Sequence, residues 1–254
     1  VLVTLGAPVN ATPGAITVHT ATIGDNEGVP TVAFTAAAQI AVEGASVLVV
    51  TLQLSGFSAQ DVTIPFAVSG TAGPADVTVG VGPLVIAAGS KIATLSVTLI
   101  DDILDEDNET VTISMGAVVN AQPSGATSHV VTILDDDATP SVQLGSAGQT
   151  VSETAGAITI TAQLSAVSGR NVTVPFGISG TGSSPADFGA SASPLVIPAG
   201  SASAAVTISL VADDVDEADE SIVVTLGSLG NAASGATTTH VVTVIDATAT
   251  PTVS

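Results

Sequence analysis

Two short stretches of the sequence concentrate carboxylates. One begins at Asp101 and reads "DDILDEDNET", and the other begins at Asp213 and reads "DDVDEADES", in a chain with only 2 Lys and Arg residues among 254. Like charges about 4 Å apart repel by about 4 kcal/mol at an effective dielectric constant of about 20. Divalent cations with oxygen ligands offset such repulsion. The chemistry that these residues suggest is cation binding.

The charge balance restricts the partners. The formal net charge is -21, and nucleic acids and anionic membranes require Lys and Arg to neutralise their phosphates. We therefore expect no nucleic-acid partner, and no apolar run approaches the roughly 18 residues needed for membrane insertion. The sequence has no Cys, so thiolate metal sites are excluded. No nucleophile and base pair and no phosphate-binding Gly loop accompanies the carboxylates, which argues against an enzyme.

The sequence repeats with a period of about 110 residues. Three versions of one segment contain His19, His129 and His240, which are spaced 110 and 111 residues apart. Pro residues follow at the same spacings. We interpret residues 1–30 as the end of a repeat (strands F and G), 31–140 and 141–250 as two whole units, and 251–254 as the start of another.

Alternation of apolar and polar residues predicts strands in each unit. In the first unit we place strands A to G at about 31–42, 46–54, 61–68, 83–86, 91–100, 109–116 and 126–134. The "AAGS" and "PAGS" segments indicate tight hairpin turns between strands D and E. Seven short strands in about 110 residues predict an all-β fold, a tandem of immunoglobulin-like antiparallel β-sandwiches.

The predicted topology brings the acids together. In a sandwich of alternating strands, the AB, CD and EF loops and the end of strand G emerge at one pole. Of the 23 acidic residues, all but Asp25, Glu27 and Asp61 fall in these segments of the two whole units. An acidic surface spread for solubility would not be sorted in this way, although a solvated acidic face remains the alternative.

Calcium suits such a pole best. Ca²⁺ takes about 6 to 8 oxygen ligands in flexible geometry, whereas Mg²⁺ retains more water and is the weaker candidate. Zn²⁺ requires His or Cys, and the three histidines lie in strand G, away from the pole. The acidic loop is not an EF-hand, because Glu106 stands where that loop needs Gly. We therefore expect a site assembled from separated loops.

The order of motifs resembles the Calx-beta family. The matching segments are "VEG" at 42, "GTAGPAD" at 70, "PLVIAAG", "DDILDEDNE" and "ILDDD", and the resemblance covers essentially the whole chain. It implies Ca²⁺ ligands in the first unit at Glu43, Asp76, Asp101, Asp102, Glu106, Glu109, Asp135, Asp136 and Asp137, with a backbone carbonyl near Leu104. In the second unit it implies Glu153, Asp187, Asp213, Asp214, Glu217, Glu220 and Asp246. Because "DDD" becomes "DAT" there and the acidic loop is one residue shorter, we expect fewer or weaker ions in the second unit.

The leading hypothesis is an extracellular structural repeat protein of a bacterial cell surface. Its domain junctions would be stiffened by Ca²⁺, as in an adhesin stalk, surface layer or filament, and its partners would be neighbouring repeats or copies of itself. One alternative is a calcium-sensing regulatory module like those of sodium/calcium exchangers. Another is a ligand-binding adhesin module, although 2% aromatic content offers little stacking surface. We interpret the two bases, Lys91 and Arg170, as isolated surface charges; the alternative is that they pair with acids of a neighbouring copy.

Overall fold

The structure is a computed structural model that describes residues 1–182 and 185–248. The predicted start of a further repeat at 251–254 lies outside the described residues. Within the described ranges the protein is built from β-strands, and its only helices are two single 3₁₀ turns, Glu43–Ala45 and Glu153–Ala155. No described segment forms a helix with the length and hydropathy that crossing a membrane requires.

The N-terminal segment forms a two-stranded hairpin, and residues 31–134 form the first sandwich. The hairpin consists of β1 (Leu2–Thr4) and β2 (Val18–Thr20). The strands of the sandwich are β3 (Thr31–Phe34), β4 (Ala38–Val42), β5 (Val47–Leu54), β6 (Val62–Ile64), β7 (Phe66–Gly70), β8 (Val77–Val79), β9 (Leu84–Ile86), β10 (Ile92–Leu99), β11 (Glu109–Met115), β12 (Gln122–Pro123) and β13 (Ser128–Leu134). One sheet has the order β12-β3-β5-β10-β8 and faces a second of order β4-β13-β11-β7.

The second sandwich repeats this topology over residues 141–245. Its strands are β14 (Ser141–Leu144), β15 (Gly148–Ser152), β16 (Ala157–Leu164), β17 (Val172–Val174), β18 (Phe176–Gly180), β19 (Phe188–Ala190), β20 (Leu195–Ile197), β21 (Ser203–Leu210), β22 (Glu220–Leu226), β23 (Ala233–Ser234) and β24 (Thr239–Ile245). The sheet orders are β19-β21-β16-β14-β23 and β15-β24-β22-β18. The prediction of tandem all-β sandwiches is confirmed.

Each sandwich has its own core, built almost entirely from Val, Ile and Leu. Along β10 every second residue is buried, so that Leu95, Val97 and Leu99 face inward while the residues between them face solvent. Leu52 on the neighbouring strand β5 and Ile113 on the facing sheet are fully buried against them. Burying each such side chain contributes about 1.5 to 3 kcal/mol, which holds the two sheets face to face without any large aromatic core.

The pairing of the middle strands differs from the prediction. Pro65 divides predicted strand C into β6, which pairs with β9, and β7, which pairs with β11. Proline lacks the N–H that a ladder requires, so the chain changes sheet at this residue. The "AAGS" segment does turn, with Ser90 N donating to Ala87 O at 2.9 Å. It is not a hairpin, however, because β10 takes β8 as its ladder partner instead of β9.

Four chain segments of the first sandwich meet at one pole, which we call the acidic pole. They are the 3₁₀ turn after β4, residues 71–76 after β7, residues 100–108 after β10, and residues 135–137 after β13. Gly70, the last residue of β7, allows the chain to leave the ladder with β11 and begin the segment 71–76. Its φ is +140°, and an added Cβ would overlap the carbonyl of Thr110, so no other residue fits there without a shift.

Candidate metal centre

Glu43 lies at the middle of the acidic pole. The backbone is extended up to Val42 and then closes into the 3₁₀ turn Glu43–Ala45, which directs the Glu43 side chain inward. Only 8% of this residue is exposed, and its Oε1 atom is buried without a hydrogen-bond partner. A buried carboxylate oxygen without a partner is costly, because its hydration is not replaced. A bound cation would remove that cost.

Two groups of three carboxylates share Glu43. One joins it to Asp101 and Asp136, and the other joins it to Asp102 and Asp137. Within each group, ligand oxygens from all three residues lie within 4.8 Å of one another. The groups therefore connect the 3₁₀ turn, the loop after β10 and the segment after β13, although Glu43 and Asp137 are 94 residues apart in the sequence. These distances suit cations coordinated by several carboxylates at about 2.3 to 2.6 Å.

Three more of the predicted ligands lie beside these groups. Burial and the charge of Asp76, together with a hydrogen bond to it, raise the pKa of Glu109 to about 7. Burial also raises the pKa of Glu106, and the charges of Asp76 and Asp102 add to the shift. These interactions place Asp76, Glu106 and Glu109 on the side of the acidic pole formed by the loop after β7.

The electrostatics of Glu43 and Asp135 fit a cation site. Burial, followed by the charges of Asp135 and Asp137, raises the pKa of Glu43 to about 7. Burial likewise raises the pKa of Asp135. Asp135 Oδ1 and Asp137 Oδ2 are buried without hydrogen-bond partners, as is Glu43 Oε1. Because no protein hydrogen-bond donor reaches these buried oxygens, the residues fit a multivalent cation with oxygen ligands.

Local hydrogen bonds hold the loops that carry the carboxylates. Asp102 Oδ1 accepts from the backbone N–H of Leu104 at 2.7 Å, which closes a tight turn at the start of the acidic loop. Asn108 Oδ1 accepts from Asp135 N at 3.1 Å, which ties that loop to the end of β13. Asp76 Oδ2 accepts from Gly73 N at 2.7 Å. Asn108 thus acts as a loop-positioning residue.

The second sandwich has a smaller carboxylate group. Asp187, Glu217 and Glu220 bring their oxygens within 4.8 Å of one another. Burial and then the charge of Asp213 raise the pKa of Glu217, and burial and then Asp187 raise that of Glu220. Glu153 is only 8% exposed and lies near enough to act on both of these pKa values.

The remaining acids of this sandwich bond largely to backbone. Asp246 accepts from Glu217 N at 3.4 Å and from Thr248 N at 3.1 Å, and Asp213 Oδ1 accepts from Val215 N at 2.8 Å. Asp214 is exposed and lies outside the carboxylate group. The predicted residues of the second unit are therefore only partly brought together, in keeping with the expectation of fewer or weaker ions there.

The histidines and the two bases have other roles. His129 and His240 are each 2% exposed, and their Nδ1 atoms lie 2.7 Å and 2.8 Å from the carbonyl oxygens of Ala36 and Ser146. The prediction of isolated surface charges is wrong for Arg170, which pairs with acids, whereas Lys91 forms no ion pair among the described residues. Lys91 donates to Ser55 O at 3.1 Å and stands 5.3 Å from the ring centre of Phe57. Arg170 forms ion pairs with Asp105 and Asp107 of the first sandwich.

Sequence reasoning missed the contact of Asp105 and Arg170. A signal was available, because the predicted topology places the loop between strands B and C of the second unit at the pole that faces the acidic pole of the first. The only arginine of the chain lies in that loop.

The family model for the Calx-beta domain matches residues 25–137 and again residues 135–248. The chain belongs to the Calx-beta family. The crystal structure of CBD12 from CALX1.2 resembles this Calx-beta tandem with 16% identity and a TM-score of 0.41, covering 84% of this chain and 99% of that one. For the crystal structure of the calcium binding domain CBD12 of CALX1.1, the identity is 17% and the TM-score is 0.40; the match covers 83% of this chain and 98% of that one. For the apo-form Calx CBD1 domain, the identity is 18% and the TM-score is 0.41; the match covers 43% of this chain and 100% of that one.

No curated protein sequence matches the chain. At these identities the similarity to solved structures concerns the fold. The case for a cation rests on the chain's own carboxylates.

Proposed function

We propose that this Calx-beta tandem binds Ca²⁺ at the acidic pole of the first sandwich and, more weakly, at the equivalent pole of the second. The observation that carries the proposal is Glu43, a buried carboxylate with an oxygen that has no partner and that is shared by two groups of acids. Calcium is the cation of choice because it accepts about 6 to 8 oxygen ligands from several carboxylates.

The residues that would hold the ions come from separated segments. Glu43 contributes from the 3₁₀ turn, Asp101 and Asp102 from the loop after β10, and Asp136 and Asp137 from the segment after β13. The bound ion supplies positive charge that offsets the repulsion among these groups. Any ion that binds the folded state in preference to the unfolded state stabilises the fold by mass action.

The proposed mechanical role follows from the position of Asp135–Asp137. These residues follow β13, which ends at Leu134, and β14 of the second sandwich begins at Ser141. We infer that coordination of this short link would limit the movement of one sandwich relative to the other. Calcium would then convert a flexible string of repeats into a stiff one, as a stalk, surface layer or filament on a bacterial cell surface requires. The Lys-poor composition, rich in Thr, Ala, Val and Gly, is the support for an extracellular location. The absence of Cys does not by itself decide the compartment.

Neighbouring repeats or copies of the chain are the proposed partners. The β1–β2 hairpin repeats the sequence of β11 and β13, but its strands are exposed along their whole length. In the sandwich the residues equivalent to Val3 and His19 are Ile113 and His129, and both are buried. An isolated two-stranded hairpin is only marginally stable, so we propose that strands of a neighbouring repeat or copy cover it.

Calorimetric titration with CaCl₂, combined with small-angle scattering in calcium and in EDTA, tests the proposal. We expect heat from several ions and a narrower range of particle lengths in calcium. A variant with both Asp101→Asn and Asp102→Asn loses most of the heat from the first sandwich. Asp25→Asn with Glu27→Gln removes two charges outside the acidic pole and serves as the matched control. Absence of binding at millimolar calcium would leave the pole as a solvated acidic face and refute the proposal.

A further inference from the structure

One acid in the first sandwich is placed unlike its neighbours. Asp105 lies in the middle of the acidic loop, yet its side chain is only 3% exposed, whereas that of Asp107 is 85% exposed. It belongs to neither of the two carboxylate groups that share Glu43. Its burial comes from the second sandwich and from the link between the two sandwiches.

The contacts of Asp105 satisfy both its side chain and its backbone. Thr139 Oγ1, in the link, donates to Asp105 Oδ1 at 2.9 Å. Ser168 Oγ lies 3.1 Å from the carbonyl oxygen of Asp105 and 3.2 Å from its Oδ2, and donates to one of them. Gly169 N donates to the same carbonyl oxygen at 3.1 Å, and Arg170 Nη1 lies 3.6 Å from Oδ2. Asp105 also forms an isolated parallel bridge with Ser168.

These contacts satisfy Asp105 without a bound metal ion. A buried carboxylate is tolerated when hydrogen bonds and an opposite charge replace its hydration, and here a hydroxyl of the link, a hydroxyl of the second sandwich and a guanidinium do so. Ser168, whose hydroxyl contacts Asp105, is only 1% exposed. Its Oγ atom also accepts a hydrogen bond from Arg170 N at 3.0 Å. The receiving loop is therefore fixed by its own hydrogen bonds.

The equivalent loop of the first sandwich has the same turn but different chemistry. There Ser58 Oγ accepts from Gln60 N at 3.0 Å, as Ser168 Oγ accepts from Arg170 N. Gln60 replaces the arginine, and Ala59 replaces Gly169. An added Cβ at Gly169 would overlap the Glu106 side chain, so a larger residue there would require that side chain to move.

We propose that the loop Ser168–Arg170 is a carboxylate receptor that holds the two sandwiches docked in the absence of any bound metal ion, and that Asp105 is the group it receives. The loop Ser58–Gln60 folds in the same way but lacks the cationic side chain, so it does not receive an acidic loop in this manner. The inference goes beyond the proposed function, because it concerns docking that persists when calcium is removed.

The absence of Cys allows a direct test by spin labelling. Thr94 and Ala205 are exposed, occupy equivalent positions on β10 and β21, and are replaced together by Cys to carry one label on each sandwich. The distance between labels is measured by pulsed electron paramagnetic resonance in EDTA. We expect one narrow distance distribution in the parent chain, and its loss when Gly169→Ala and Arg170→Gln are combined.

The double change copies a loop that folds in the first sandwich, so loss of docking would not reflect a loop that is unable to fold. Asp105→Asn is expected to broaden the distribution as well, because the ion pair with Arg170 is lost. Asp107→Asn is the matched control, since this exposed partner of Arg170 is expected to contribute little.

Three results would overturn the proposal. They are a broad distribution in the parent chain in EDTA, a narrow one that survives the combined loop change, and an equal loss caused by Asp107→Asn. Calcium titration of the same samples keeps this test separate from the proposed function. Docking without calcium binding would refute only the proposed function, and calcium binding without docking in EDTA would refute only the receptor.

Discussion

Glu43→Gln is the substitution that separates a cation site from an acidic surface most sharply. The change removes one negative charge while keeping nearly the same shape in a residue that is 8% exposed. In EDTA the variant loses repulsion from Asp135 and Asp137, so it should be more stable than the parent chain. In calcium it lacks a ligand shared by both carboxylate groups, so most of this gain in stability should be lost.

The size of the effect in EDTA follows from the pKa of Glu43, which rises from the ordinary value of 4.5 to about 7. Each tenfold change in proton affinity corresponds to about 1.4 kcal/mol, so ionised Glu43 costs the folded state about 3.5 kcal/mol at pH 8. A buried Gln amide keeps part of that cost as its own desolvation. Gln at this position should therefore raise the free energy of unfolding in EDTA by about 2 kcal/mol. In calcium, loss of a charged ligand should weaken binding at least about tenfold, or about 1.4 kcal/mol.

Scanning calorimetry at pH 8, with and without calcium, measures both effects. The chain contains neither Trp nor Tyr, so intrinsic fluorescence offers little signal, and calorimetry can resolve the two sandwiches as separate transitions. Glu153→Gln is the matched control, because Glu153 has the same burial but lies in neither carboxylate group of the first sandwich. A Glu43→Gln variant that is destabilised equally in EDTA and in calcium would refute the reasoning.

Three further outcomes are expected. Glu43 and Glu109 have pKa values raised to about 7, so calcium affinity should fall as the pH drops below about 7, with proton release measurable by calorimetry in two buffers. For the same reason, the stability that these two groups contribute without calcium should be present below about pH 4.5 and be lost as the pH rises through about 7. Mg²⁺ should bind more weakly than Ca²⁺, because it requires octahedral geometry and retains water; equal affinities in competition titrations would contradict the assignment. Leu52→Ala should lower the free energy of unfolding of the first sandwich by about 2 to 5 kcal/mol, because Leu52 is fully buried in its core. In scanning calorimetry only the transition of the first sandwich should move to a lower temperature.

Much of the fold could be predicted because its signals are local or periodic. The spacing of His129 and His240 identified the repeat, and alternation located β5, β10 and β13 within one or two residues. Once the strand directions were known, the shared pole of the acidic segments followed. The pairing of β9 with β6 could not be predicted, because the effect of Pro65 on sheet choice depends on strands that are distant in sequence.

The candidate site shows the same division. Sequence placed the acids of the first unit in loops that meet, but it could not show that Glu43 is buried while Asp101 remains exposed. That difference arises because the 3₁₀ turn directs one side chain toward the segment after β13. The resemblance in motifs also predicted Asp214 as a ligand, whereas the structure leaves it exposed and outside the carboxylate group.

The sequence by itself determined the repeat, the β-rich character and the excess of negative charge, because each depends only on residue type and spacing. Tertiary structure alone decided which carboxylates come together at the acidic pole and which one lies outside these groups. In the sequence, Asp105 is one of several acids in the same loop and nothing distinguishes it. In the structure, contacts from the link and the second sandwich bury it. Burial and charge pairing depend on groups that folding brings together, and local sequence does not encode those groups.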